Sequence, residues 1–197
     1  MDRSLRAAFV AGLVASLVTV PARAGERPAS VEESLRGMYV GADSSITSVA
    51  GTTSALVGPQ VGIVAGDYTF GVGAYGLAPT VASTERDAAG RRVDVGLGYG
   101  VLRIGTVLLE DRILHVIPLL SVGGGAVRIG EANGTRGEAI FVVEPRLELE
   151  LALPQARALR FGAQGSYRFV SAFELAGIGA RDLAGPSAGM FVKLGFF

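Results

Sequence analysis

The segment from residue 141 to residue 169 alternates between two kinds of side chain, and this alternation limits the folds open to the chain. Apolar residues occupy the odd positions of FVVEPRLELELAL (141–153), and a second alternating run follows a short break at 154–156. Successive side chains of a β-strand point to opposite faces, so each arm of this predicted hairpin has one apolar and one charged face. The charged members are Glu144, Arg146, Glu148, Glu150, Arg160 and Arg168.

The first 24 residues have the pattern of a secretory signal peptide. Arg3 and Arg6 precede an apolar run over 7–20, and Ala-Arg-Ala at 22–24 is a cleavage site between small residues. A single membrane-anchoring helix is the alternative, but the run is shorter than the roughly 17–25 residues that a spanning helix needs. We predict export, cleavage after residue 24 and a polar periplasmic leader over 25–35.

About eight strands are predicted between residues 36 and 197, joined in a meander. The predicted connections alternate between long and short, and a meander places alternate connections at opposite ends. All the long loops would therefore emerge at one end, which is typical of transmembrane barrels. The predicted long connections are 47–54, 78–90, 130–137 and 171–186, and the short ones are 66–67, 110–112 and 154–156.

The fourth predicted strand, over 91–109, is the least regular. Val93, Val95, Leu97 and Tyr99 alternate with residues that include Gly96 and Gly98, and the apolar row is predicted to face outward. Arg103 falls on that apolar row if the alternation continues. We predict a β-bulge near Gly100 that returns Arg103 to the polar face.

The composition decides which face of the strands meets water. Hydrophobic residues make up 49% of the 197-residue chain and charged residues only 18%, which is apolar for a soluble protein. The polar faces of the first four strands are largely glycine, which fits a narrow barrel interior better than a solvated surface. We predict an all-β fold, a closed up-and-down antiparallel transmembrane β-barrel over 36–197. A soluble exported β-barrel that binds an apolar ligand is the alternative.

The chain resembles the small, roughly eight-stranded outer-membrane β-barrel proteins of Gram-negative bacteria, without indicating a subfamily. The resemblance depends on the signal sequence, the loop lengths and the final strand MFVKLGFF (190–197). It implies contact with outer-membrane lipids and lipopolysaccharide, and recognition of the C-terminal end by the outer-membrane assembly machinery. Lys193 lies on the same side of the final strand as the last residue, Phe197. The apolar row of this strand therefore ends at Phe196, and the assembly signal is predicted to be offset by one residue from the chain end. The predicted C-terminal assembly signal comprises Phe191, Phe196 and Phe197.

The charged row predicts an ion-pair network inside the barrel rather than acid/base catalysis, because buried charges persist only when they are paired. Arg146 and Arg168 should each have a carboxylate partner there. Glycines on the facing wall would make room for the long Glu and Arg side chains, so that the lumen is plugged. These glycines are Gly71, Gly73, Gly96, Gly98, Gly123 and Gly125.

The rest of the sequence shows few residues that indicate catalysis or ligand binding. The chain has no cysteine and a formal net charge of zero, so neither thiolate sites nor nucleic-acid binding is predicted. His115, the one histidine, is predicted to face the lumen at the periplasmic end without a serine or acid partner set, and we predict no catalytic residue, metal or cofactor. Arg128 is predicted on the lipid side at the external end, where it could meet lipopolysaccharide phosphates or extend to water.

The function predicted from the sequence is that of a non-enzymatic monomer with a structural or surface-interaction role. A lipid-modifying outer-membrane enzyme and a ligand-binding or channel-forming barrel are the alternatives.

Overall fold

The computed structural model describes residues 35–197 except 79–80, 87–91, 111–112, 132–133, 157 and 176. The predicted signal peptide, and all of the predicted leader except its last residue, lie outside the described residues. No helix in the described part of the chain is long and apolar enough to cross a membrane. The elements are β1 (Leu35–Val49), β2 (Thr52–Ala65), β3 (Tyr68–Leu77), β4 (Val81–Arg86), β5 (Arg92–Thr106), β6 (Leu109–Glu110), β7 (Leu114–Glu131), β8 (Gly134–Ala152), β9 (Leu159–Val170), β10 (Glu174–Leu175), β11 (Ile178–Gly179), α1 (Ala180–Leu183) and β12 (Gly185–Phe196).

The eight long strands of the described chain close into an antiparallel barrel. Strands β1, β2, β3, β5, β7, β8, β9 and β12 each pair with the next in this order. The ring closes where β12 pairs with β1, with Met38 opposite Phe196. The predicted closed up-and-down barrel is therefore confirmed. We call the end where β1 begins and β12 finishes the terminal end, and the opposite end the loop end.

Two of the predicted long connections at the loop end, 47–54 and 130–137, are shorter than predicted, because the strands extend into them. β1 and β2 are joined by Ala50 and Gly51 alone, whose φ angles are 48° and 75°. Positive φ at both central residues is the geometry of a tight two-residue hairpin. The prediction of a long loop over 47–54 is therefore wrong. The connection between β9 and β12 is long, and it contains β10, β11 and α1.

The outer face of the barrel is apolar, as the alternation predicts. On β8 the side chain of Leu147 is 46% exposed, while Arg146 and Glu148 on either side of it are buried. Leu149 and Tyr167 are also exposed on the outer face. A soluble barrel would bury these residues in a dry core, so their position contradicts the soluble alternative.

Strand β5 has the opposite phase to the prediction. Val95, Leu97 and Tyr99 are buried in the lumen, whereas the side of β5 that carries Gly98 is exposed. The pairing of β5 with β3 and β7 runs without interruption, so no bulge forms near Gly100. The unbroken alternation itself carries Arg103 into the lumen.

A buried ion-pair network in the barrel interior

Strand β8 supplies the centre of the polar network. Glu144, Arg146, Glu148 and Glu150 occupy every second position, so all four side chains point into the barrel. Each of these residues is at most 6% exposed. Such a row is stable only if neighbouring strands bring compensating groups across the lumen.

Glu148 joins two cations from opposite walls of the barrel. Its carboxylate accepts a hydrogen bond from Lys193 Nζ of β12 at 2.8 Å and one from the guanidinium of Arg103 on β5. Arg103 also donates to Gln60 of β2. Two strands, β5 and β12, therefore meet β8 at this one carboxylate, and β2 joins them through Arg103.

Glu150 forms a second junction towards the terminal end. It accepts hydrogen bonds from Lys193 Nζ and from Arg160 Nη1, both at 2.7 Å. His115 Nδ1 lies 3.2 Å from the same carboxylate. The network is therefore continuous from Arg103 through Glu148, Lys193 and Glu150 to Arg160.

Arg146 forms the third junction, in the middle of the barrel. It donates to Glu144 Oε1 at 2.7 Å and to Asp43 Oδ2 of β1 at 2.8 Å. A further hydrogen bond reaches Gln164 of β9 at 2.6 Å. Tyr75 of β3 donates to the same Asp43 oxygen at 2.7 Å. The predicted carboxylate partner of Arg146 is present, and a second carboxylate accompanies it.

Arg168 lies in a different environment, although it is fully buried. Its Nε donates to the carbonyl oxygen of Leu183 at 2.8 Å, and its Nη2 donates to Thr47 Oγ1 at 3.3 Å. No described carboxylate lies within ion-pair distance of it. The prediction of a carboxylate partner for Arg168 is therefore not met within the described residues.

The members of the network that lie on strands other than β8 and β9 were not predicted from the sequence. Lys193 carried a usable signal, since it interrupts the apolar row of the last strand and so had to face inward. Arg103 carried the same signal on β5, where a bulge was predicted instead. Asp43, Gln60 and Tyr75 are isolated polar residues in their strands, and only the closed barrel brings them to Arg146 and Arg103.

Gly73 makes room for an aromatic ring rather than for a Glu or Arg side chain. A Cβ atom added at Gly73 would lie 3.1 Å from the hydroxyl of Tyr75. The ring of Tyr75 in turn packs 5.2 Å from the guanidinium of Arg146. The predicted inward position is wrong for Gly96 and Gly98, which line a groove on the outer wall.

The loop-end half of the lumen is filled by an apolar cluster. Leu183 of α1 and Ile178 of β11 enter it from the connection between β9 and β12, and both are fully buried. Ala50 N donates to the carbonyl oxygen of Asp182 at 2.7 Å and ties that connection to the first hairpin. The other members of the cluster are Val49, Ala50, Leu56, Tyr75, Val95, Leu97, Tyr99, Val101, Val127, Ile129, Ile140 and Val142.

His115 lies beside a small cavity at the terminal end. The cavity has a volume of about 60 Å³, and Glu150, Arg160, Lys193 and Phe197 line it. Glu150 and Arg160 are the polar contacts of the His115 ring among the described residues, and no serine is among them. The described residues also contain no group of three His, Cys, Asp or Glu that could hold a metal ion.

The three phenylalanines of the predicted assembly signal have different surroundings. Phe191 is buried in the lumen, 4.6 Å from Lys193 Nζ. Phe196 is 78% exposed on the outer face. Phe197 stacks on Tyr39 at 6.2 Å, with Arg160 over its ring at 3.7 Å. Phe196 alone extends the apolar outer row, in line with the predicted offset.

Comparison with known proteins identifies the fold. No family model matches the sequence, and no curated protein matches it. Neisserial surface protein A has a solved structure similar to this chain, with a TM-score of 0.60 at 11% identity, over 80% of this chain and 96% of that one. Ail, the attachment invasion locus protein of Yersinia pestis, has a TM-score of 0.51 at 11% identity over 83% and 99%. It is also solved in complex with the heparin analogue sucrose octasulfate. The N-terminal β-barrel domain of Pseudomonas aeruginosa OprF has a TM-score of 0.50 at 12% identity over 83% and 99%. The chain therefore has the fold of the small eight-stranded outer-membrane barrels.

Proposed function

We propose that this protein is a non-enzymatic barrel of a bacterial outer membrane, with a closed lumen and a structural or surface-interaction role. The observation that carries the proposal is the inverted distribution of side chains. Apolar residues cover the outside, whereas paired charges and hydrogen-bonded polar groups are buried inside the terminal-end half of the barrel. An apolar outer surface is favourable in contact with hydrocarbon. A closed barrel also suits this environment, because it leaves no backbone group of the sheet without a hydrogen-bond partner.

Fractionation tests the membrane location. We expect to find the mature protein in the outer-membrane fraction, and we expect that only detergent extracts it. On a gel, the unheated protein should migrate faster than the boiled protein. Recovery from the periplasm without detergent would contradict the proposal. Amino-terminal sequencing of the same material tests whether cleavage follows residue 24.

The closed lumen is supported by its contents. An eight-stranded barrel has an interior just wide enough for side chains to fill, and here Glu148, Arg103 and Lys193 span it from wall to wall. In planar lipid bilayers we therefore expect no stepwise ion conductance. Clear single-channel steps from the purified barrel would instead favour the channel alternative.

The contacts of His115 argue against the lipid-modifying alternative. Such an enzyme requires a nucleophile and a positioned base at the membrane surface, and this ring instead faces Glu150 and Arg160 in the lumen. We expect His115→Gln to leave lipopolysaccharide composition unchanged when the variant replaces the native protein in cells. An altered acyl-chain profile would favour the enzyme.

The surface role is proposed by analogy with the neighbours of the same fold. One of these, Ail, is an attachment invasion locus protein that binds a heparin analogue. Recognition by the assembly machinery, the monomeric state and the lipopolysaccharide contact of Arg128 remain predictions. The exposed position of Arg128 on the outer wall is compatible with a lipid contact.

A further inference from the structure

Strand β8 extends beyond its neighbour β9 at the loop end. Its pairing with β7 continues without a bulge up to the first residue of β8, whereas its pairing with β9 ends at Val142. The next contacts on the β9 side join Phe141 to Ser171, whose amide donates to the Phe141 carbonyl oxygen and whose hydroxyl accepts from the Phe141 amide. After Ser171 the chain turns inward, since Phe173 packs against the apolar cluster. The β9 side of residues 134–140, which we call the free edge, therefore has no backbone partner among the described residues.

The free edge presents backbone groups at every second residue. In an antiparallel ladder, alternate residues direct their N–H and C=O groups towards opposite neighbours. Those of Phe141 point to the β9 side, and the ladder with β7 is regular, so those of Ala139, Gly137 and Thr135 point the same way. All three residues are exposed. Their N–H donors and C=O acceptors are therefore open to any strand that approaches the free edge.

The free edge lies beyond the hydrocarbon of the membrane. Gly137 is opposite Arg128 of β7, and the outward row of β7 runs from Leu114 near the terminal end to Arg128. At about 3.3 Å per residue and a strand tilt of about 35–45°, Arg128 is roughly 33–38 Å above Leu114. The apolar band of an outer-membrane barrel is only about 25 Å tall. Molecules outside the membrane can therefore reach the free edge.

The free edge lacks the features that commonly protect an exposed strand from other chains. Such strands are often blocked by proline or lysine, or bent away by a bulge. Residues 134–140 contain neither proline nor lysine, and their ladder with β7 has no bulge. The charged residues of this segment, Arg136 and Glu138, direct their backbone groups to β7. The edge is therefore open to pairing with another strand.

We infer that the free edge binds an extended peptide segment of another protein, which joins the sheet as a further strand. The inference rests on the proposed membrane location and surface-interaction role. Glu138 favours a basic side chain at the position opposite it. Gly137 has no side chain, so an aromatic ring opposite it can cover the exposed backbone. The segment that fits best is therefore extended and carries a basic and an aromatic residue side by side.

A second copy of the barrel does not fit the free edge. Two copies in one membrane stand upright about a two-fold axis along the membrane normal. With a strand tilt of about 35–45°, their free edges would cross at about 70–90°, whereas neighbouring strands of a sheet differ by only about 20–25°. A flexible segment can instead align with β8 along the whole free edge.

A synthetic peptide tests the backbone pairing. The sequence Thr-Val-Lys-Tyr-Thr-Val-Thr places its lysine opposite Glu138 and its tyrosine opposite Gly137 in an antiparallel register. We expect saturable binding of the labelled peptide to the purified full-length mature barrel in detergent, measured by fluorescence anisotropy. Methylation of the tyrosine backbone nitrogen removes the donor that faces Gly137 and should weaken binding at least about fivefold. Absence of binding, or equal binding of the methylated peptide, would overturn the inference.

Two substitutions at Ala139 test the same pairing on the protein. Ala139→Pro removes an N–H that points to the free edge and none that bonds to β7, so the barrel should fold. We expect it to weaken peptide binding at least about fivefold. Ala139→Val keeps this N–H and is the matched control, with binding expected close to that of the native protein. If Ala139→Pro binds the peptide as the native protein does, the inference is wrong.

The charge of Glu138 tests the register of the peptide. The native barrel should bind the peptide about fivefold more tightly than a version with glutamate in place of lysine, the scale of an exposed ion pair. Glu138→Gln should abolish this preference. A preference that persists in this variant would overturn the pairing of the lysine with Glu138.

Two further measurements separate the inference from its alternatives. A dimer in sedimentation experiments that Ala139→Pro dissociates would show that a second copy occupies the free edge, and would overturn the inference. The gel shift on heating reports the membrane barrel independently of peptide binding. A barrel that keeps this shift but binds no peptide would therefore contradict the inference and leave the proposed membrane location intact.

Discussion

The two halves of the barrel interior are filled by different kinds of contact. In the terminal-end half, Glu148 and Glu150 hold Lys193, Arg103 and Arg160 in a continuous ionic network. In the loop-end half, Val95, Ile129, Leu183 and their neighbours pack as an apolar core. Arg168 lies in this second half and is held by a carbonyl and a hydroxyl oxygen.

The difference teaches that two kinds of contact can stabilise the interior of one barrel. The ionic half depends on complete pairing, because each buried charge without a partner costs several kcal/mol. The apolar half depends on shape, because each missing methylene leaves a cavity. The two halves should therefore respond differently to single substitutions.

The largest effect is expected from Glu148→Gln, which leaves Arg103 and Lys193 without this carboxylate. Breaking a buried pair by removing one partner costs about 3–5 kcal/mol, and the free energy of unfolding should fall by this amount in a urea titration in lipid vesicles. Glu138→Gln on the same strand is the control, since this half-buried carboxylate has no ion pair with a described residue. A double variant with Lys193→Met should lose less than the sum of its two single variants; additive losses would refute the coupling.

Leu183→Ala tests the apolar half and should lower the unfolding free energy by about 3 kcal/mol, through the cavity that it leaves. Leu147→Ala, on the outer face, is the matched control. Lipid chains fill the space that it vacates, so we expect about 1–2 kcal/mol from the lost transfer of apolar surface alone. Equal losses for the two variants would mean that Leu183 does not pack in a closed core.

Arg168→Met compares the two environments directly. It removes hydrogen bonds to Leu183 and Thr47 but leaves no carboxylate of the described network unpaired, so the loss should be about 1–2 kcal/mol. Arg146→Met should cost about 3–5 kcal/mol, because Asp43 and Glu144 remain buried without their cation. Urea titrations of both variants check this order, and the reverse order would contradict the division of the lumen.

The smallest effect is expected from His115→Gln. Glu150 keeps Lys193 and Arg160, so only one hydrogen bond is lost and the unfolding free energy should change by less than about 1 kcal/mol. A loss as large as that of Glu148→Gln would show that His115 is a full member of the ionic network.

The sequence predicts one half of the lumen much better than the other, for a physical reason. A charged residue cannot face hydrocarbon, so the charges of β8 and β9 determine which face of those strands is inside. Valine, leucine and glycine are acceptable on either face of a membrane barrel, so Val95, Leu97 and Gly96 carry no such information. On β5 Asp94 lies near the loop end and is exposed on the outer side. The informative residue was Arg103, and an unbroken strand places it and Val95 on the same inner face.

Partners across the lumen were less predictable than the strands themselves. Asp43 and Arg146 are 103 positions apart in the chain, and only the closed ring brings them together. The prediction that the charges of β8 would be paired needs only the energetics of burial. To predict which residue pairs with which, one must know the register between all eight strands, and the alternation of side chains does not specify that register.

The seam of the barrel has a consequence for how the protein is made. β1 and β12 are the first and last strands of the meander and close the ring, and they contribute Asp43 and Lys193, which neutralise Arg146, Glu148 and Glu150 on β8. A sheet that has not yet joined its two edges therefore carries uncompensated charge towards any surrounding acyl chains. Pairing of the first strand with the last removes the exposed strand edges and the unbalanced charge in one step. A barrel that has not closed is therefore disfavoured in the membrane for two reasons.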